Sequence, residues 1–442
     1  MSDYTVRTLK IKVYPETYSG GDAKAAWKRL RDIAYWSRRA ANECIGLQYW
    51  NDVTRNMADG VTGGKEFDGM FKEFFGVGRN GAGYRLIVNK YDQIPSNVAV
   101  RISNTVYSLY TQERKAVLTG ERSIRSYKAG MPIPVSEPSI AFSAGPVLTW
   151  TLSRTEKMTF AFVFGRDKGG YSETIQRIVD GKLDYGAPSL QFKDGDLYLL
   201  LPVKDDRREN TLDASRSVGV DLGVAIPAVC ALSDGPARLF IGRAEDFLRV
   251  RTRLQAMRRS AQRNARETQG GHGRVKKLAA LERYTERERD FVKTYNHTVS
   301  RRIVEFALKH GAGTIKLELL EGFGDERKKN DYILRNWSYF ELQTMIKYKA
   351  DAEGIAVVSI DPYHTSQTCS KCGHHEGGQR QTQSKFVCAK CGNEENADYN
   401  AARNIAMSDK IVTAKEQCEY RRKSGRLTSE PEGEAKALAE SA

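Results

Sequence analysis

The stretch Val218-Gly219-Val220-Asp221-Leu222-Gly223-Val224 decides how the second half of this chain is read. Alternation at period two sets Val218, Val220 and Leu222 on one side of a strand and Asp221 on the other. A carboxylate in an apolar strand is costly to bury unless it is paired or bound to a metal. The glycines two residues before and after it are expected to leave room for a bulky ligand at the backbone. The plainer alternative is an aspartate held by backbone hydrogen bonds.

Outward from that strand, residues 228–232 and 239–241 predict two more. Long helices are predicted at about 244–266 and 278–309, hinged at Gly270-Gly271-His272-Gly273. Phe247, Val250, Leu254, Met257 and Ala261 make one apolar stripe on the first. A strand at 314–319, a helix at 339–352 and a strand at 355–360 complete the pattern of an α/β domain. Glu318 repeats the logic of Asp221. Ile315, Leu317 and Leu319 share a face, while Glu318 stands opposite near the carboxyl edge, where ligands of open α/β sheets collect. A third acid, Asp398, lies in Asn396-Ala397-Asp398-Tyr399-Asn400-Ala401-Ala402. Helical spacing groups it with Ala401, Ala402 and Ile405, and the small alanines let that helix lie close to a sheet.

Taken singly, Glu318 reads equally as a solvated strand residue and Asp398 as a helix cap. Together, a strand Asp, a strand Glu and a helix Asp suit two divalent ions about 3.5–4 Å apart, which stabilise both oxygens of a phosphodiester displacement. Oxygen-only ligands favour Mg²⁺ or Mn²⁺, with Asp221 as the bridging ligand. Four of the seven cysteines, Cys369, Cys372, Cys388 and Cys391, form C-x2-C-x15-C-x2-C, each pair followed by a glycine. That spacing predicts two knuckles closing on one structural Zn²⁺, with a redox dithiol as the alternative. Cys44, Cys230 and Cys418 are scattered, unlike a secreted disulfide framework. Because the cluster lies between Glu318 and Asp398, zinc loss is expected to misplace the third carboxylate.

The first half reads differently. Leu9, Ile11 and Val13 alternate with Lys10, Lys12 and Tyr14 as a half-buried strand. Asp22 is a candidate helix cap, followed by Trp27, Leu30, Ala34, Ala41, Cys44 and Ile45 at helical spacing. Residues 58–92 read as a loop-rich insertion with short helices. Ser96 opens a second helix with Val98, Ile102, Val106 and Leu109 in one stripe. Residues 131–204 read as strands, with a hairpin at Asp194-Gly195 and a charged linker from Lys204 to Asn210.

Across 442 residues the formal charge is +15, which points to a polyanionic partner. The densest stretch, 249–289, holds thirteen Lys or Arg against four Asp or Glu. Arg258, Arg259, Arg263, Arg274, Lys276 and Lys277 are its candidates for phosphate contact, with a solvated helix face as the alternative. No apolar run approaches the roughly 18 residues of a membrane span, and no leader opens the chain, so a cytoplasmic location is expected. The carboxyl-terminal residues, rich in Ser, Glu, Pro and Ala, read as a flexible tail.

Thr365-Ser-Gln-Thr-Cys-Ser-Lys-Cys-Gly373, the second cysteine pair and Ala397-Asp-Tyr-Asn-Ala-Ala402 resemble the RNA-guided nucleases of the transposon-associated TnpB type and the type V CRISPR effectors. The compact length, Gly270-Gly-His-Gly-Arg274, Tyr295-Asn-His297 and Arg335-Asn-Trp-Ser-Tyr-Phe-Glu-Leu342 look most like the miniature type V-F effectors, while Lys10-Ile-Lys-Val-Tyr-Pro15 is similar to TnpB openings. The detailed match covers about 210–408. The resemblance implies an RNase H-like RuvC nuclease domain (209–363 and 394–408) interrupted by a target-binding zinc ribbon (364–393). Ahead of it come a wedge-type β-barrel (1–20 and 125–208) and an inserted helical recognition lobe (21–124); a tail (409–442) follows. It also implies Asp221, Glu318 and Asp398 as the catalytic triad and the four cysteines as the zinc site. The implied partners are a guide RNA (crRNA with tracrRNA, or a single guide), target double-stranded DNA, and a second copy of the chain as a homodimer on one guide. Base pairing would read the sequence and the protein a short flanking motif. Without an HNH-like histidine cluster, one site is expected to cut both strands. The alternatives are a TnpB-type nuclease, a resolvase or transposase on the same nuclease fold, and a guided protein that binds without cutting. A zinc-ribbon transcription factor would leave the carboxylates unexplained.

Overall fold

The computed structural model describes residues 4–59, 64–143, 147–167, 169–208, 210–223, 226–267, 271–319, 339–361, 364–382, 384–413 and 416. Most of the expected tail and residues 335–338 of the quoted tryptophan motif lie outside them. The chain divides into two compact units, Val6–Asp205 and Asp206–Ala442 with Met1–Thr5. Among the described residues no helix is long and apolar enough to cross a membrane.

In the first unit, β1 (Tyr4–Tyr18) buries Leu9, Ile11 and Val13 and exposes Lys10 and Tyr14, as its alternation predicts. Asp22 accepts a 2.8 Å bond from the Ala25 amide and starts the 37-residue α1 (Ala23–Asp59). The segment expected to be loop-rich with short helices forms two 12-residue helices, α2 (Gly64–Phe75) and α3 (Arg79–Lys90), with less loop than expected. Its glycines serve packing as well as turns. A Cβ on Gly83 would lie 2.8 Å from Ser103 Oγ and 3.4 Å from Cys44 Sγ, so the glycine lets α3 press against α1 and α4 (Ser96–Leu118). On α4 the core takes Val98, Ile102, Val106 and Tyr110, while Leu109 is only half-buried.

The strands that follow are β2 (Ile133–Pro134), β3 (Ile140–Ser143), β4 (Val147–Thr151), β5 (Lys157–Val163), β6 (Asp184–Tyr185), β7 (Ser189–Lys193) and β8 (Asp196–Asp206), with an unanticipated α5 (Tyr171–Val179). The hairpin between β7 and β8 turns on Asp194 (φ 54°) and Gly195 (φ 87°), the left-handed pair that a tight turn between twisted strands requires. β8 runs on through Lys204–Asp206, so part of the expected linker is strand. The sheet order is β2-β7-β8-β1-β5-β4-β3, with β6 on β8. Among the described residues its end strands β2 and β3 are not paired with each other, so the sheet is a half-barrel where a wedge-type β-barrel was expected. Helices and sheet share one core, in which Leu30, Ile33 and Ile102 meet Trp150 and Phe160.

The second unit holds β9 (Asp213–Asp221), β10 (Ala228–Leu232), β11 (Arg238–Ile241), α6 (Ala244–Arg266), α7 (Gly271–Lys309), β12 (Ala312–Glu318), α8 (Tyr339–Ala352) and β13 (Ala356–Ile360). The sheet runs β11-β10-β9-β12-β13. β10 is antiparallel to both neighbours, and β12 is parallel to both of its own. Val218, Val220, Ile315 and Leu317 face a core shared with Phe247, Ile303 and Ile346. Two helical expectations change. Helix α7 already begins at Gly271, so three of the four residues of the expected glycine hinge lie in its first turn. The expected stripe on α6 fails at Val250, which is exposed, while Gln255 of α6 is buried against Glu288 of α7. Arg251 and Arg258 pair with Glu288 at 3.3 and 2.9 Å, because a buried carboxylate needs partners.

The opposite face of the sheet receives α9 (Ala397–Met407). A Cβ on Gly219 would lie 2.1 Å from the Ala402 carbonyl oxygen and 2.3 Å from the Ala406 nitrogen. Gly219 therefore admits a helix rather than the ligand expected from the sequence, and Gly223 faces the Ile226 carbonyl in the same crowded way, at 2.9 Å. Ser217 Oγ donates to the Ala406 carbonyl (2.7 Å) and Lys316 Nζ to that of Ser408 (2.8 Å), anchoring the helix's last turn. Gly219→Ala is expected to cost about 3 kcal/mol or more in urea unfolding, since backbone must move. Gly235→Ala, where the nearest atom is 3.8 Å away, should stay within about 0.5 kcal/mol of wild type.

Candidate functional site

Asp221 is the last residue of β9 and Glu318 the last of β12. These strands are parallel neighbours with Leu317 level with Val220, so the two acids end side by side at one sheet edge. Asp398 arrives from the first turn of α9 and is buried. It does not cap that helix. Asn396 does, its side chain accepting 3.0 Å bonds from the Asp398 and Tyr399 amides, and the Asp398 carboxylate is free for other partners.

Crowding and burial dominate the electrostatics. Burial, and then the charges of Glu318 and Asp398, hold the Asp221 carboxyl well above the usual range, with Arg380 opposing. Burial also raises Glu318 and Asp398; the Thr365 hydroxyl and Arg380 pull Glu318 back, and Arg380 pulls Asp398 back. Arg380 Nη2 donates to Asp398 Oδ1 at 2.7 Å. Thr365 Oγ1 donates to Glu318 Oε1, and Gln343 Nε2 holds the Glu318 carbonyl at 3.1 Å. Asp221 thus feels the charge of both other carboxylates. Among the described residues, however, only the cysteine quartet offers three or more ligand atoms all within 4.8 Å.

That quartet lies beside the hairpin of β14 (Lys385–Val387) and β15 (Glu394–Asn396). Each pair is closed by a left-handed glycine, Gly373 (φ 71°) and Gly392 (φ 65°), whose amides bond back to the Cys369 and Cys388 carbonyls at 2.9 and 3.0 Å. Cys369 and Cys391 sulfurs are 3.7 Å apart, and those of Cys372 and Cys388 3.6 Å. A tetrahedron with zinc–sulfur bonds of about 2.3 Å has edges near 3.8 Å, so the donor set fits a tetrahedral ion of that size. Against the opposing effect of burial, the Cys391 and Lys390 amides and the neighbouring thiols pull Cys388 down to about 6, which favours the thiolate a metal needs.

The basic ridge divides. Arg259, Arg263 and Lys276 are exposed and take part in no described ion pair. Lys277 bonds the Asn264 carbonyl across the helix pair (3.2 Å), Arg258 is committed to Glu288, and the side chain of Arg274 lies outside the described residues. Sequence reasoning missed Arg380, Thr365 and Lys316. Only the fold brings Arg380 and Thr365 to the carboxylates and Lys316 to the end of α9, and no spacing rule marks them.

Two family models match the chain: "Cas12f1-like, TNB domain" over residues 339–405 and "Probable transposase" over 200–322. The Cas12f1 endodeoxyribonuclease of Sulfoacidibacillus thermotolerans is 33% identical over 353 residues, covering 75% of this chain and 82% of that one. The chain belongs to the Cas12f1 family. The Cas12f1 of Syntrophomonas palmitatica is 31% identical over 355 residues (72% and 67% of the two chains), and a TnpB-like protein of Methanocaldococcus jannaschii is 30% identical over 102 residues (22% and 37%). A solved Cas12f1–sgRNA–target DNA complex superposes with a TM-score of 0.71 at 18% identity, covering 93% of this chain and all of that one, so the fold is that of Cas12f1. The Cas12f1-like TNB match spans both cysteine pairs and Asp398, and the transposase match spans Asp221 and Glu318.

A carboxyl raised in the folded state supports folding below its unfolded-chain value and loses that contribution as pH rises towards the folded-state value. At neutral pH the ionised cluster therefore opposes the fold. Asp221→Asn is expected to raise Tm at pH 7.5, without added divalent ions, by roughly 2–4 °C, the shift that about 1 kcal/mol produces in a domain of this size. Calorimetry at pH 4 should show that gain shrinking.

Proposed function

We propose that this chain is an RNA-guided, metal-dependent DNA endonuclease that cuts both strands of a guide-matched duplex beside a short flanking motif, through one RuvC-type site. The observation that carries this reading is the arrival of Asp221, Glu318 and Asp398 from β9, β12 and α9 at one edge of a mixed five-stranded sheet. Order β11-β10-β9-β12-β13, with only β10 running against its neighbours, suits an RNase H-like nuclease core. Relatives named endodeoxyribonucleases, and a relative solved with sgRNA and target DNA, support the activity and the partners.

Asp221, Glu318 and Asp398 would hold two Mg²⁺ or Mn²⁺ ions, which supply the charge stabilisation of in-line phosphodiester hydrolysis. The chain's own part is to deliver ionised carboxylates and to place the phosphate. Arg380, with planar fork donors, is suited to the oxygens of the scissile phosphate and meanwhile neutralises Asp398. Cys369, Cys372, Cys388 and Cys391 would hold one structural zinc, keeping Arg380 and the approach to α9 in place. Exposed Arg259, Arg263 and Lys276 are suited to track a phosphate backbone. A second copy on one guide finds support in exposed Trp50 and Met57 on α1 and Met70 and Phe74 on α2. The setting we infer is the prokaryotic cytoplasm, with the nucleoid as the place of action.

Asp221→Ala should lower cleavage of a guide-matched plasmid by about three orders of magnitude while leaving guided DNA binding within about threefold. Loss of both would make the residue structural and remove the nuclease reading. Cys388→Ser should release one zinc per chain, measured by mass spectrometry of the metal content, and lower Tm. Retained metal with an unchanged melting profile would count against the site.

A further inference from the structure

The segment that leads into the first cysteine pair touches both the acid of β12 and the helix of the third acid. Thr365 is buried, 8% exposed. Its hydroxyl donates to Glu318 Oε1, and its carbonyl accepts a 2.8 Å bond from Asn404 Nδ2 of α9. Asn404 also holds the Thr368 carbonyl at 2.7 Å. One turn earlier, Asn400, fully buried, bonds that same carbonyl at 2.8 Å and accepts from the Ser370 amide at 2.8 Å. The helix that carries Asp398 in its first turn thus grips, near its other end, the residue that grips Glu318.

A glutamate's last torsion is broad, with no strongly preferred rotamer. A hydroxyl fixed on one oxygen removes that freedom, and the hydroxyl is fixed only if its own backbone is. We propose that Thr365 is a positioning residue for Glu318, and that Asn404 sets Thr365, so that α9 registers two of the three carboxylates at once. This rests on the reading of Glu318 as a metal ligand given above. Partners that orient metal ligands are worth about 10–100-fold in metal affinity or activity in general.

The test compares full-length wild type, Thr365→Val, Thr365→Ser, Asn404→Ala and the Val/Ala double variant. Mn²⁺ binding to the chain alone is read by electron paramagnetic resonance, with Asp221→Ala as the background, and cleavage of a matched duplex is measured on the guide-bound protein. Thr365→Val is expected to weaken Mn²⁺ binding and cleavage by about 10–100-fold, with melting temperature and zinc content near those of wild type. Thr365→Ser, which keeps the hydroxyl, should stay within about threefold. Asn404→Ala should lose at least about tenfold, and the double variant should be no worse than Thr365→Val, because both remove one interaction. Wild-type behaviour of Thr365→Val overturns the proposal. So does a serine variant as impaired as valine, or losses that multiply in the double variant. If Thr365→Val melts below the assay temperature, Asn404→Ala decides, and full Mn²⁺ affinity there overturns it. Should wild type itself neither bind Mn²⁺ above the Asp221→Ala background nor cut, the functional reading fails and the inference falls with it. Wild type that binds and cuts beside an unaffected Thr365→Val defeats the inference alone.

Discussion

Everything at the carboxylate edge depends on a contact with no space in it. Where β9 passes under α9, the backbone at Gly219 meets the Ala402 carbonyl and the Ala406 nitrogen so closely that a single methyl group would occupy their volume. Interiors are packed like crystals, so a methyl in such a place moves backbone rather than compressing it. The closeness is shared out among small residues. Ala401, Ala402 and Ala406 present no bulk on the helix, Ser217 and Lys316 fix its last turn, and Asn396 fixes its first. Tyr399 and Ala402 then bury against Val229 and Ala231 of β10. Asp398 stands where it does because the helix beneath it has nowhere else to lie.

Against that packing works a concentration of like charge. Burial raises the proton affinity of all three acids, and the charges of Glu318 and Asp398 raise that of Asp221 further. The protein answers with a cation and a donor that both come from the cysteine segment: Arg380 on Asp398 and Thr365 on Glu318. On the function proposed above, a zinc held by the four sulfurs would fix the loop whose side chains moderate the repulsion at the sheet edge.

Much of this was legible in the sequence, for physical reasons that can be named. Period-two alternation marked Asp221 and Glu318 as the odd members of apolar strands, and helical spacing grouped Asp398 with the alanines that pack. Asp194-Gly195 tolerates left-handed backbone and so announced its hairpin. What was not legible depended on tertiary approach. Gly219 looked like room for a ligand because a sequence does not say what comes near a strand. Gly83 looked like loop because its packing role lies against the distant helices of Cys44 and Ser103. Arg258 looked available for phosphate, but Glu288, thirty residues on, claims it. Arg380 and Thr365 carry no local signature at all, since their meaning comes from partners elsewhere in the chain.

The order of elements along the polymer has its own result. Asp221 and Glu318 leave the ribosome well before the cysteine hairpin, and Asp398 only after it, on the last described helix. Throughout most of its synthesis the nascent polypeptide carries its basic surfaces without the third acid. A growing or prematurely terminated product thus carries the basic helix pair and two of the acids without the third.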